Sequence, residues 1–225
     1  MPHKKPYSEL KPKLNKPYTT IYLIRHANPD YKLQEKLGDK NMPLSKEGRK
    51  QAKLLAKNLM KREVDKIYAS EFKRAIETAN YFSELNNKRV FINKRLNEID
   101  WKNWHRIKYF NTCEKRRPSY LKNYKELDKK LDTMQAEARR LLWDLFRKNK
   151  GKRLALFCHG NIIKSIITSI INADVIGFLS IEIFQSSLTK LIIDKNGYVK
   201  INHINEVSHL PKPPSEDLFI TLLYE

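Results

Sequence analysis

The sequence predicts an α/β fold, because short apolar runs alternate with amphipathic helical stretches and a late pair of alternating runs flanks a turn dipeptide. Thr20-Ile21-Tyr22-Leu23-Ile24 is apolar and rich in β-branched residues, the pattern of a buried strand, and it leads into Arg25-His26. A polar loop is expected from there through Gly38 to Pro43. Ser45 then suits the N-cap of a helix whose apolar stripe is Ala52, Leu55, Ala56 and Leu59. Residues 66–69 read as a short strand, and Ser70 as the cap of a helix running through Ala75, Ala79 and Phe82. Val90-Phe91-Ile92 is a third strand. Residues 131–146 form a helix, 154–158 a buried strand and 161–171 a further helix. Residues 187–194 and 198–204 alternate around Asn196-Gly197, a strong hairpin signal.

A chain of 225 residues favours one globular domain, with or without tails. No stretch reaches the ~18 consecutive apolar residues of a membrane-spanning helix. The N-terminus is basic, interrupted by Pro2, Pro6, Pro12 and Pro17, and lacks the apolar core of a secretory signal, so a cytoplasmic location is expected. Two cysteines, Cys113 and Cys158, cannot build a disulfide framework or, alone, a four-ligand zinc site. Cys158 sits in an apolar run, where a small buried hydrophobe is a better reading than a reactive thiol.

The formal net charge of +20 suggests an anionic partner: nucleic acid, anionic lipid or a phosphorylated substrate. Lys, Asn and Ile are all abundant, as AT-rich coding would produce, so charge alone does not choose. No nucleic-acid recognition motif is present, and no nucleic-acid partner is expected.

Two buried strands end in histidine, at Arg25-His26 and at His159-Gly160. In open α/β sheets ligands bind beyond the carboxyl ends of the strands, so both histidines fall on the functional edge. The helix after Gly160 aims backbone N–H groups and the positive end of its dipole at the same place, which suits an anion. The strand-to-helix turn of residues 68–79 brings Arg74 to that edge, where its planar fork can bind phosphate oxygens in pairs. Taken alone, Arg74 would read as a solvated helix arginine.

Together these segments resemble the histidine phosphatase superfamily, the phosphoglycerate-mutase-like group. The matching stretches are Leu23-Ile24-Arg25-His26, Pro43-Leu44-Ser45-Lys46-Glu47-Gly48 with Gln51-Ala52, residues 70–79, Leu96-Asn97-Glu98-Ile99 and Phe157-Cys158-His159-Gly160. Residues 204–210 resemble the family's last strand region. The resemblance implies a three-layer α/β/α sandwich with a mostly parallel central sheet and helices on both faces. It covers a domain at 18–210, leaving a basic, Pro-containing tail at 1–17 and an extension at 211–225. Within the domain, residues 101–125 fit least: a basic, aromatic-rich insertion that is either a lid over the pocket or plain solvated surface.

The resemblance also implies roles. His26 would attack phosphorus and become phosphohistidine, while Arg25, Arg74 and His159 would surround the phosphoryl group. Glu98 would protonate the leaving oxygen and then activate water, with Asp100 and Asp30 as reserve acids. No metal or other cofactor is implied. The chemistry suits these residue types: neutral imidazole is a competent nucleophile near pH 7. Two arginines and a second histidine can stabilise charge spread over the equatorial oxygens. A carboxylic acid must keep its proton near neutrality, and Leu96, Ile99 and Trp101 would be apolar neighbours that raise the Glu98 pKa. Ala27 replaces the family's usual glycine, and Asn28-Pro29-Asp30 replaces its usual continuation, leaving a secondary phosphate contact open.

The expected activity is a phosphomonoesterase acting on a phosphorylated metabolite or a phosphoprotein. The alternatives are a phosphoglycerate mutase, which shares the nucleophile, and a module that only binds phosphate. Oligomeric state stays open.

Overall fold

The computed structural model describes residues 14–99 and 124–211. Asp100, most of the proposed lid segment, and the bulk of both terminal extensions therefore lie outside the described residues. A six-stranded sheet forms the centre. Its strands are β1 (Thr19–Arg25), β2 (Lys66–Ala69), β3 (Val90–Ile92), β4 (Arg153–Cys158), β5 (Leu188–Ile193) and β6 (Val199–Glu206). Their order is β3-β2-β4-β1-β5-β6. The first four in that order run parallel, and β5 and β6 join antiparallel. The three-layer, mostly parallel sheet that the sequence implied is what is found.

The helices are α1 (Gln34–Asn41), α2 (Lys46–Leu59), α3 (Lys73–Asn86), α4 (Tyr124–Lys148), α5 (Gly160–Ile171) and α6 (Val175–Ser180). The period of two in the central strands divides the core into two layers. Ile21, Leu23, Leu154, Leu156 and Cys158 pack with the apolar stripes of α4 and α5. Tyr22, Ile24, Ala155 and Phe157 pack with α2 and α3 on the opposite face. These side chains are 5% exposed or less, so truncating any one of the large ones to alanine costs about 2–5 kcal/mol.

Ser45 caps α2 as expected, accepting the Gly48 N–H at 2.9 Å. Gly48 is required for another reason: a Cβ there would stand 1.9 Å from the Asn28 carbonyl oxygen. The chain after His26 thus lies directly on the start of α2, with Ser45 N–H donating to that same carbonyl at 3.0 Å.

Four expectations are corrected. Ser70 does not cap α3: the helix begins at Lys73 after an extended Phe72, with no side-chain cap. Its hydroxyl is engaged by the functional site instead. The loop expected before Pro43 contains α1, interrupted at Gly38 by a left-handed φ of 72° that glycine tolerates without strain. No residue of α1 is buried, so it carries no apolar stripe to read. The helix expected at 131–146 begins seven residues earlier, because Tyr124 and Leu127 continue its stripe against Val175, Ile176 and Phe178. The two end positions of the proposed lid, Tyr124 and Lys125, therefore belong to α4. Finally, the hairpin forms around Gly197, but its turn runs from Asp194 to Tyr198. The Asp194 carboxylate accepts the N–H groups of Asn196 and Tyr198, which holds the wider loop.

Candidate active site

Because β1 and β4 are parallel neighbours with Arg25 opposite Cys158, the residues that follow them, His26 and His159, emerge side by side. Their ring centroids are 5.0 Å apart, and His26 N–H donates to Cys158 O at 2.9 Å. Both rings are buried. His159 is also the residue from which α5 springs, so the first N–H groups of that twelve-residue helix open beside it.

The state of His26 follows from its partners. Nδ1 lies 2.8 Å from the Ala27 carbonyl oxygen, which only accepts, so Nδ1 carries the proton. Nε2 then presents a lone pair, and Arg74 Nε–H donates to it at 3.2 Å. Burial, reinforced by the repulsion a second charge would meet from His159, Arg74 and Arg25, pushes the His26 pKa well below the usual histidine range. His159 is pushed the same way, by burial and then by Arg74 and Arg25. Both rings therefore favour the neutral form at pH 7.

Two guanidinium groups complete the cluster. Arg25 reaches the Ile183 carbonyl through Nη1, while its buried Nε has no partner among the described residues. Its side chain passes over Gly160, where a Cβ would be 3.5 Å from Nε. Arg74 is only 4% exposed and lies with its Cζ 4.9 Å from the Phe72 ring centre. Phe72 also meets His159 edge-on at 5.0 Å, so one aromatic ring braces both groups.

Glu98 lies at the same edge, just after the 3-10 turn Lys94–Leu96. Its Oε1 accepts the Ile99 N–H at 3.0 Å. Burial raises its pKa, opposed by Arg25, that hydrogen bond and Arg74. The direction is the one a proton donor needs. The reserve acid Asp30 leads instead into the 3-10 turn Tyr31–Leu33, its N–H donating to Pro43 O at 2.8 Å. Cys158 is fully buried and its thiol is pushed far up by burial, in keeping with an inert small hydrophobe.

The structure thus brings Arg25, His26, Arg74, Glu98 and His159 to one end of the sheet. The methyl of Ala27 is taken up by the core with Leu44 and Ala52. Asn28 is spent on neighbours, donating to Gln185 Oε1 at 2.9 Å and accepting from Ser45 Oγ at 3.0 Å.

Sequence reasoning missed Asp39. From α1 its carboxylate meets Arg74 Nη1 at 3.1 Å and Nη2 at 3.2 Å, and its carbonyl accepts from Nη1 at 2.6 Å. Arg74 is buried, whereas Asp39 is 48% exposed on a segment with no buried residue, so the carboxylate is the solvent-facing half of the pair. An anion that uses the Arg74 fork must displace it. Asp39→Asn is therefore expected to lower KM for a phosphomonoester by about two- to fivefold, the scale of a half-exposed ion pair, and to spare kcat. Steady-state kinetics on both proteins checks this; an unchanged or raised KM would show that Asp39 does not compete.

A family model described as the histidine phosphatase superfamily (branch 1) matches residues 21–206. Phosphoglycerate mutase-like protein 4 of Arabidopsis thaliana is 27% identical over 161 residues, 66% of this chain and 70% of its own. Among solved structures, a mutant phosphoserine phosphatase from Entamoeba histolytica in complex with phosphoserine has a TM-score of 0.67 at 22% identity, over 85% of this chain and 99% of that one. A mycobacterial glucosyl-3-phosphoglycerate phosphatase has a TM-score of 0.64 at 21% identity, over 84% of this chain and 99% of that one. These two structural likenesses are likenesses of fold.

Proposed function

From the premise that the chain belongs to the histidine phosphatase superfamily (branch 1), we propose that it is a phosphomonoesterase working through phosphohistidine at His26, without a metal. The observation that carries this reading is the neutral His26, with its proton held on Nδ1 by Ala27 O and its Nε2 lone pair facing Arg74. An incoming phosphoryl group takes the place of Asp39 on Arg74 and meets Arg25 and His159. Nε2 attacks phosphorus as the ester P–O bond breaks, and Glu98 gives its proton to the departing oxygen. The Glu98 carboxylate then takes a proton from water, whose oxygen attacks phosphorus. The N–P bond breaks, its electrons return to Nε2, and inorganic phosphate leaves. The positive charge the transition state needs is supplied by two guanidinium groups and the start of α5.

The proposed substrates are small phosphorylated metabolites that carry a carboxylate. Supporting this, solved structural neighbours include phosphoserine phosphatase bound to phosphoserine and to 3-phosphoglyceric acid. Phosphoproteins are the broader alternative. Purified protein is expected to release inorganic phosphate from an aryl phosphate, and from phosphoserine or 3-phosphoglycerate, with EDTA present. Loss of activity in EDTA and rescue by a divalent ion would overturn the metal-free reading. Formation of 2-phosphoglycerate without phosphate release would place the protein with the mutases. Release from phosphopeptides alone would move the substrate class.

A further inference from the structure

We propose that Ser70, held by Asn97, is a positioning residue that dictates which nitrogen of His159 bears the proton, so that an oxyanion entering the site brings one proton onto His159 Nδ1. This rests on the phosphate-binding reading above and adds to it a direction of proton movement.

The chain of donors runs one way. Asn97 Nδ2 donates to Glu71 Oε1 at 2.8 Å, and Glu71 stays ionised because Lys40 stands 3.0 Å from its other oxygen. A carboxylate only accepts, so the Asn97 amide is fixed with Oδ1 turned toward Ser70. That oxygen receives the Glu71 N–H at 3.1 Å and the Ser70 hydroxyl at 3.0 Å. The single Ser70 proton is thereby committed. The oxygen lone pairs of Ser70 face Phe72 N–H at 3.1 Å and His159 Nε2 at 2.9 Å. His159 Nε2 must consequently be the donor, and the neutral ring keeps its lone pair on Nδ1.

Nδ1 is buried and has no hydrogen-bond partner among the described residues. The charged and titratable groups around the ring are Arg25 and His26 at the end of β1 and Arg74 from α3, and Glu98 shares Arg25 and Arg74 as its charged neighbours. Burial and the two guanidinium groups keep the second proton off until an anion offsets them. A lone pair repels a phosphoryl oxygen, whereas Nδ1–H would bond it. Negative charge from the ligand offsets the arginines and draws the proton in.

The test uses sulfate, which is fully ionised near neutral pH, so any proton taken up belongs to the protein. Calorimetric titration of the full chain in buffers of different ionisation enthalpy is expected to show about one proton bound per sulfate. Between the empty-site and bound-state pKa values of His159, affinity should fall by about tenfold for each pH unit of increase. Ring nitrogen-15 shifts should show Nε2–H alone in the free protein and both nitrogens protonated with sulfate. In Ser70→Ala the tautomer is released, so Nδ1–H can face the anion directly. Proton uptake should then approach zero and the pH slope should flatten, while Ser70→Thr restores both. Sulfate binding without proton uptake in the unaltered protein, or uptake unchanged in a folded Ser70→Ala, would overturn the tautomer assignment alone. Absence of any sulfate or phosphate binding would overturn the anion site, and this inference with it.

Discussion

Removing the imidazole in His26→Ala is expected to lower turnover of an aryl phosphate by on the order of 10⁴-fold or more, since the covalent path disappears with its nucleophile. The fold should survive: His26 is held through its backbone to Cys158 O and Ser186 N–H, neither of which the substitution touches. Rapid quench with labelled substrate should find phosphate on His26 as an acid-labile, base-stable adduct. Label on Ser70, or on no residue at all, would overturn the mechanism. The pH profile offers a second check. The nucleophile must be unprotonated, and its pKa is pushed down by burial and positive neighbours. The acid limb assigned to His26 should therefore lie below the ordinary histidine range, with no loss from this residue as pH rises from 6.5 to 8.

Glu98→Gln should divide substrates by leaving group. An alkyl oxygen needs a proton as it departs, so hydrolysis of an alkyl phosphate should fall by about 10²–10⁴-fold. A nitrophenolate needs none, so the first burst of nitrophenol should persist. The later steady state should slow, because the glutamine cannot take a proton from water and phosphoenzyme accumulates. Burst and alkyl hydrolysis lost to the same extent would make Glu98 a positioning residue. Its raised pKa sets the opposite limb of the profile: the protonated form is present below that value, and alkyl hydrolysis is lost as pH climbs through it.

The parts of this site that were legible in sequence are those written into single elements. The run 20–24 could be read as a strand because it is buried on both faces, and that placed Arg25 and His26 at its end. The same holds for 154–158 and His159. Glu98 was legible through its motif, and the structure places it at the same end of the sheet, where burial raises its pKa. What escaped was every contact made between elements. Ser70 looks like a helix cap in one dimension, yet its hydroxyl serves His159 and Asn97, 89 and 27 residues away. Asp39 lies on a helix whose residues are all outside the core, so no periodicity announced it. The early turns of α4 carried a readable stripe at Tyr124, Leu127 and Leu131. The basic, aromatic composition just before them obscured it.

The strand order has a consequence for how this chain becomes active. β1 is hydrogen-bonded to β4, which begins 133 residues later in partner numbering from Thr20 to Arg153, and to β5, where Thr19 meets Ile193. Arg25, His26 and His159 ride at the ends of strands paired across the length of the sequence, whereas Arg74 rides on a helix packed mainly against its near neighbours α2 and β2. Closing loops of that length costs chain entropy before any contact repays it, which slows the pairing step. A nascent chain that has made only its first hundred residues already holds Arg25, His26, Arg74 and Glu98, but has no β4 to seat β1 between partners. Assembly of the cluster is thus deferred until β4 and β5 have been made, and a chain cut short of β5 would display His26 without the architecture that buries it.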